Sequence, residues 1–127
     1  MRIMAEDARQ YFWHPAQRVG DASAADMTDD GFVYFAQDGV CLAFNDMPWP
    51  GVIVAHVGAM RSAWGKAVAP ALAILRHVWD TYGPTRIVAW VRTANRAAIS
   101  FAGKLGFVVD GTVPLPQPVI MMGWSCR

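Results

Sequence analysis

The sequence has few of the features that mark nucleic-acid-binding or membrane-spanning proteins. Only 17% of its 127 residues are charged, the formal net charge is +1, and Lys and Arg nowhere form a run, which argues against a dedicated nucleic-acid binder. The longest apolar stretch, residues 67–75, is broken by Pro70 and falls short of the roughly 20 residues that span a bilayer. We therefore expect neither nucleic acid nor a membrane among its partners.

Cysteine is also scarce. Cys41 and Cys126 are too few for a disulfide-built scaffold, and no Cys/His spacing typical of a zinc site occurs. The first ten residues, "MRIMAEDARQ", carry charges where a signal peptide has an apolar core. These features predict a cytoplasmic, reduced protein without a metal. The length and the hydrophobic fraction of 54% predict one globular domain over residues 1–127.

The order of hydrophobic patterns predicts an α/β fold. A short helix, "AEDARQYFWHP", is followed by a polar loop, a hairpin turning at Asp38–Gly39 and a β-branched strand, "VIVAHVGAM". A helix ending at Gly83 and a helix capped by Asn95 flank the strand "RIVAWVR", and the strands "FVVDG" and "PVIMMGWSC" close the chain. The middle βαβ unit should be parallel and the ends antiparallel, which gives a mixed sheet with helices on both faces.

A glycine–lysine pair in "SAWGKA", Ser62 to Ala67, stands where a strand leads into a helix. It is not a nucleoside-triphosphate loop, because Met60 replaces the first glycine and Ala67 replaces the hydroxyl residue after Lys66. The dinucleotide pattern G-x-G-x-x-G is absent as well. A simpler anion site is still compatible, since the first amides of a helix are unpaired and carry partial positive charge. The alternative is an ordinary helix start with a glycine in its turn.

The segment "NRAAISFAGKLGF", residues 95–107, resembles the N-x-x-A-x-x-x-Y-x-K-L-G-F segment of the GNAT superfamily of acyl-CoA-dependent N-acyltransferases. "SAWGKA" is similar to the Q/R-x-x-G-x-G/A loop of that family, and the order of elements over residues 31–127 matches, with "MRIM" at most a stub of a first strand. The resemblance implies a GNAT-like mixed sheet. It also implies transfer of an acetyl group from acetyl-CoA, without a metal, to a small-molecule or protein amine.

The resemblance assigns coenzyme-binding residues to two parallel strands and the helices that follow them. It implies that the end of the fourth strand pairs with the pantetheine arm where the parallel strands separate, that loop and helix amides hold the pyrophosphate, and that an Asn bonds the arm. The residues are Val57, Gly58 and Ala59 for the arm, Trp64, Gly65, Lys66, Ala67, Val68 and Ala69 for the pyrophosphate, then Asn95 and Phe101.

This sequence departs from the family pattern at three positions, the first of which is Trp64, where a small or basic residue is common. Ser62 replaces the usual Gln or Arg, so the phosphates would depend on backbone amides and Lys66, helped by Arg61. Phe101 stands where many members have the tyrosine that protonates the departing thiolate, and phenylalanine has no proton to donate.

The candidate base is His56, on the strand next to the expected thioester, because imidazole ordinarily titrates near neutrality. The alternative is a hydrogen-bonded structural histidine. In the family, the acceptor amine is bound by loops that correspond here to residues 18–30, "NDMPWPG" and "TVPLPQP". Trp49 is a candidate pocket wall, and the candidate partners of a cationic amine are Asp26, Asp29, Asp30 and Asp46; a solvated acidic loop is the alternative.

Three functions fit these observations. The first is an N-acetyltransferase acting on a primary amine by direct attack. The second, favoured by Phe101 and Ser62, is a weakly active or inactive GNAT-like domain that binds coenzyme A or a protein partner. The third is a binding module with an unrelated α/β fold. The apolar last strand fits either a monomer with a buried strand or a homodimer.

Overall fold

A computed structural model describes residues 1–14, 17, 19 and 23–126. Its centre is one seven-stranded sheet in the order β1-β2-β3-β4-β5-β7-β6, with β4 and β5 the parallel pair and every other neighbouring pair antiparallel. The elements are β1 Arg2–Ile3, α1 Ala5–Ala8, β2 Val33–Gln37, β3 Val40–Asp46, β4 Val52–Ala59, α2 Val68–Tyr82, β5 Arg86–Arg92, α3 Arg96–Leu105, β6 Val108–Val113 and β7 Val119–Trp124. The predicted mixed α/β sheet is confirmed.

Local sequence signals determine several of the turns. Asp38 and Gly39 both have positive φ, 47° and 81°, as a primed hairpin turn requires, and Gln37 pairs with Val40. The segment "MRIM", expected to be at most a stub of a first strand, contains the two-residue strand β1, in which Arg2 pairs with Phe35 of β2. The first helix is shorter than predicted, because after Ala8 the chain tightens into a 3₁₀ turn, Arg9–Tyr11, as helix ends commonly do.

Hydrophobic side chains bury both faces of the sheet. The larger cluster joins α2 and α3 to the sheet through residues such as Leu42, Leu75 and Trp124. The smaller cluster packs α1 and Phe12 against Tyr34 and its neighbours on the opposite face. Helices therefore lie on both faces, as predicted, with α2 and α3 on one face and α1 with the residues that follow it on the other.

The two cysteines lie on opposite sides of the sheet. Cys41 belongs to the cluster around α1, whereas Cys126 packs against the cluster around α2, and both thiols are free. Burial raises the pKa of Cys41 to about 12, so the thiol stays protonated and unreactive at neutral pH. Among the described residues, no helix is both long enough and apolar enough to cross a membrane.

Gly58 of β4 is covered by the chain segment that follows α1. A Cβ added at this position would lie 2.6 Å from the carbonyl oxygen of Tyr11 and 2.8 Å from the ring of Phe12. A real Cβ cannot approach backbone that closely, so the absence of a side chain at Gly58 is what allows the N-terminal segment to pack on the strand.

We predict that Gly58→Ala lowers the free energy of unfolding by about 1–3 kcal/mol, because overpacking forces backbone apart. The measurement is urea unfolding followed by circular dichroism. Gly103→Ala is the matched control: an added Cβ there meets nothing within 4 Å, and the helix should gain about 0.5–1 kcal/mol. Equal effects of the two substitutions would show that the close approach at Gly58 is not real.

Candidate active site

A wedge-shaped gap opens in the middle of the sheet. β4 and β5 pair only at Val52–Val54 with Arg86–Val88, although both strands continue further. Their outer edges stay paired with β3 and β7 along the separated part. The gap therefore lies between the carboxyl ends of two parallel strands, where open α/β sheets bind their ligands. The predicted separation of the parallel strands is present.

The β4 side of the gap exposes main-chain hydrogen-bonding groups. The Met60 amide donates to the Gly39 carbonyl at 2.8 Å, while Ala59 lies opposite Val40. Hydrogen-bonded and non-hydrogen-bonded pairs alternate along an antiparallel ladder. Because Met60 bonds to Gly39, the N–H and C=O of Ala59 point away from β3, and so do those of Val57, two residues earlier. Val57 and Ala59 therefore face the gap as a strand edge that pairs with no other strand of the described chain. An extended chain of amides can pair with such an edge.

Gly58 differs from its two neighbours. By the same alternation, its backbone groups turn toward Cys41 of β3. Gly58 packs against Tyr11 and Phe12 instead. The backbone groups that could pair with a ligand are therefore those of Val57 and Ala59, whereas Gly58 has a packing role.

A tight turn leads from β4 toward α2. Trp64 has φ −61° and ψ 132°, Gly65 has φ +83°, and the Lys66 amide donates to the Ala63 carbonyl at 2.9 Å. This is a type II turn, whose third position needs positive φ and therefore favours glycine. An atom added at the Cβ position of Gly65 would meet nothing within 4 Å, so the backbone there is open to a ligand.

The start of α2 has unpaired amides. The first α-helical bond runs from Ala71 to the Ala67 carbonyl, and no side chain caps Ala67. The Trp64 and Lys66 amides already donate within the turn. The amides without a backbone partner in the described chain are those of Gly65, Ala67, Val68 and Ala69. Together with the helix dipole and the exposed Lys66 side chain, they suit a bound anion.

Helix α3 begins after Asn95 and ends before Gly106, as predicted. The Asn95 Oδ1 accepts the Ala98 amide at 3.1 Å, and Gly106 closes the helix with φ 101°. The cap uses only the side-chain oxygen, so it does not require the hydrogens on the Asn95 Nδ2. Phe101 lies within α3 and is partly buried against the larger core cluster.

His56 lies two residues beyond the last pairing of β4 with β5. Its Nε2 is 2.8 Å from the Asn45 Oδ1, and because that oxygen can only accept, the Nε2 carries the hydrogen. The Phe32 ring lies 6.2 Å away. Burial lowers the pKa of His56 from 6.5 to about 4, since charge is costly in an apolar site. The expected titration near neutrality is therefore wrong, and the imidazole is neutral at pH 7.

Trp90 is a residue that sequence reasoning missed. Val54 pairs with Val88, so two steps further along the parallel strands Trp90 comes level with His56 on the same face of the sheet, across the gap. Its side chain is 39% exposed. No sequence signal identifies it, because its position depends on the register of the parallel strands.

Trp13 is a second missed residue. Its Nε1 donates to the Ala59 carbonyl at 3.0 Å, and its ring stacks on Trp64 with centroids 5.5 Å apart and planes 19° apart. The Arg61 guanidinium carbon lies 5.0 Å from the Trp13 ring centroid. The N-terminal segment thus reaches the loop that was predicted to bind pyrophosphate.

The predicted acceptor residues have different surroundings. The Asp29 Oδ1 accepts the Ala5 amide at 2.8 Å and the Asp26 Oδ2 accepts the Ser23 hydroxyl at 2.8 Å, so both carboxylates have structural partners. Trp49, 60% exposed, lies in the β3–β4 turn, at the end of β4 that is still paired with β5. Asp30 is exposed, and Asp46 lines a separate cleft of about 350 Å³ beside the end of α2.

Two further predicted acceptor segments have different outcomes. In the loop of residues 18–30, Arg18 and residues 20–22 lie outside the described chain. The loop between β6 and β7 is joined to the gap end of β5, because the Thr93 amide donates to the Pro118 carbonyl at 3.0 Å and the Arg92 guanidinium contacts Gln117. Among the described residues, no three His, Cys, Asp or Glu side chains group as metal ligands would.

Solved structures with this fold include acetyltransferases. The ribosomal-protein-S5-alanine acetyltransferase of Vibrio fischeri is 13% identical, with a TM-score of 0.69 over 98% of this chain and 90% of that one. A chimera of the spermidine N-acetyltransferase SpeG from Vibrio cholerae and hSSAT is 12% identical, with a TM-score of 0.71 over 97% and 93%. A GNAT-family acetyltransferase from Bacillus anthracis is 15% identical, with a TM-score of 0.60 over 68% and 57%.

These similarities establish the fold, which is that of the GNAT acetyltransferases, as the sequence resemblance implied. No protein-family model matches the chain. No curated protein matches it either. At identities of 12–15%, the acceptor and the catalytic residues have to be inferred from the chain itself.

We predict that His56 makes the protein less stable in acid. Its folded pKa of about 4 lies below its unfolded value of 6.5, so the unfolded state binds more protons between these values. The contribution is present above pH 6.5 and is lost as the pH falls toward 4, by about 3 kcal/mol. The melting temperature of His56→Gln should therefore fall less between pH 7 and pH 4 than that of the wild type.

The control for this experiment is His77→Gln, on the exposed side of α2. It should keep the wild-type dependence of melting temperature on pH. If His56→Gln and the wild type lose the same stability, the imidazole is not held neutral by burial.

Proposed function

We propose that the chain is a single GNAT-like domain, residues 1–127, that transfers an acetyl group from acetyl-CoA to a primary amine. The observation that carries the proposal is the combination of a strand edge at Val57 and Ala59, with which no other described strand pairs, and amides at the start of α2 that have no backbone partner in the described chain. Coenzyme A has the two complementary parts, an arm containing amides and a pyrophosphate. Solved proteins of this fold include acetyltransferases of spermidine and of a ribosomal protein, so a small-molecule or protein amine is the acceptor class.

The proposed binding mode uses mainly backbone groups. The pyrophosphate lies against the free amides of Gly65, Ala67, Val68 and Ala69. The Lys66 and Arg61 side chains supply positive charge. The arm runs beside Val57 and Ala59, and the Asn95 Nδ2 donates to one of its carbonyls. The phosphate contacts do not need the Gln or Arg that Ser62 replaces, because amides serve the same purpose.

The proposed reaction is direct attack of a neutral amine on the thioester carbonyl. A backbone N–H of the β4 edge stabilises the developing oxyanion, the new C–N bond forms, and the C–S bond breaks with the electron pair on sulfur. Phe101 cannot protonate the sulfur, so the coenzyme leaves as a thiolate, which is a fair leaving group. The ammonium proton passes to water.

His56 remains the side chain proposed to assist proton removal, but as a weak base. Its lowered pKa keeps it unprotonated at neutral pH and also reduces its affinity for a proton. We therefore propose that it acts through water and that the pH dependence of turnover reports the amine and not the imidazole.

The alternative is a coenzyme-binding domain without catalysis. Two observations favour it: Phe101, which has no proton to donate, is partly buried against the core, and His56 is a poor base. In that function the domain binds coenzyme A in the same gap, or it binds a protein partner.

We predict that acetyl-CoA and CoA, but not ATP, raise the melting temperature. Ligand at a hundred times its Kd adds about 2.7 kcal/mol to the free energy of unfolding. Lys66→Ala should weaken coenzyme binding about 3- to 10-fold, as the loss of one partly solvated charge would. Lys104→Ala, at the far end of α3, is the matched control and should bind as the wild type does. If neither coenzyme at millimolar concentration stabilises the protein, the proposed function is wrong.

We predict that the protein releases CoA thiol from acetyl-CoA in the presence of a suitable primary amine, and that His56→Ala lowers kcat about 10-fold with a smaller change in KM. Thiol-reactive dye measures the release across a panel of polyamines and peptide N-termini. Full turnover by His56→Ala would remove His56 from the mechanism. Binding without thiol release from any amine would favour the non-catalytic domain.

A further inference from the structure

The indole of Trp13 holds a hydrogen-bond acceptor on the edge of β4 that faces the gap. The Ala59 carbonyl points away from β3, as the alternation of the ladder requires, and the Trp13 Nε1 donates to it at 3.0 Å. Ala59 is the last residue of β4, between the separated strand edge and the turn that leads into α2. An arm that pairs with this edge needs the same carbonyl.

The Trp13 ring also lies against the phosphate side of the gap. It stacks on Trp64, and Arg61 lies over it at 5.0 Å, so the indole connects the end of β4 to the loop whose amides are free. His14 adds edge contacts to both rings, at 5.5 Å from Trp13 and 6.1 Å from Trp64. A ligand extending from the strand edge to the loop amides must pass this cluster.

The segment that carries Trp13 is held by packing just before it. Phe12 is 2% exposed within the smaller core cluster, and Tyr11 and Phe12 cover Gly58. Trp13, by contrast, is 40% exposed and Trp64 49%. Phe12 therefore fixes the segment in the core, whereas the Trp13 indole and its stacking partner Trp64 are at the surface. Rotation of the Trp13 side chain alone would free the Ala59 carbonyl.

We propose that Trp13 is an internal competitor of the coenzyme: its indole N–H occupies the Ala59 carbonyl in the free protein, and the arm of coenzyme A displaces it on binding. This inference rests on the proposed function. It assigns a role to Trp64 as well, which is to hold the displaceable indole by stacking. Coenzyme affinity is then reduced by the fraction of molecules in which the indole is bound.

The test measures the Kd of CoA by calorimetry for the wild type and Trp13→Phe. The phenylalanine keeps a ring to stack on Trp64 but has no N–H, so the Kd should fall about 2- to 10-fold, the equivalent of one net hydrogen bond. Trp124→Phe is the matched control. The Trp124 Nε1 also donates to a backbone carbonyl, that of Leu105 at 2.9 Å, but in the core away from β4, so its loss should lower stability and leave the Kd unchanged.

A second measurement follows the indole directly. In protein labelled with 5-fluorotryptophan, the Trp13 resonance is the one missing from the spectrum of Trp13→Phe. Saturating CoA should move that resonance, and the Trp124 resonance should move less.

The outcomes separate this proposal from the proposed function. Tighter binding by Trp13→Phe, or binding by Trp13→Phe alone, supports the competitor. Unchanged or weaker binding, or a Trp13 resonance that does not move although CoA binds, overturns the competitor and leaves the coenzyme site intact. Absence of CoA binding in both the wild type and Trp13→Phe overturns the proposed function and the competitor together.

Discussion

The separation of β4 from β5 after three paired residues is the constraint on which the site depends. Pairing at Val52–Val54 keeps the sheet continuous, so the core against α2 and α3 can form across it. The loss of pairing beyond Val54 leaves backbone groups that neither strand satisfies for the other. The protein satisfies part of this deficit itself, through the Trp13 indole at Ala59.

Much of the fold could be predicted because it depends on local chemistry. The positive φ values at Asp38 and Gly39, the cap at Asn95 and the left-handed Gly106 are properties of a few adjacent residues, and the structure has all of them. The α/β class followed from the order of the hydrophobic patterns. The short α1 is the exception, because four residues in a helix depend on tertiary packing more than on their own sequence.

The site could be predicted only in part, for physical reasons. The turn at Gly65 and the amides of α2 lie within one continuous segment, so sequence places them. Trp13 and Trp90 reach the gap through chain path and strand register, which no local pattern encodes. The pKa of His56 was misjudged because residue type predicts only the ordinary value. Burial lowers this pKa, and the burial of the imidazole beside Asn45 and Phe32 depends on the fold.

The strand edge at Val57 and Ala59, which is proposed to bind the coenzyme arm, consists of main-chain atoms. Every non-proline residue carries the same N–H and C=O. Side chains on this strand can therefore change without changing what the edge offers, provided that the register with β3 is kept. Such a site depends on backbone geometry and hardly at all on residue identity. That is a physical reason why a comparison of structures detects a shared fold at 12–15% identity, where comparisons of sequence detect no match.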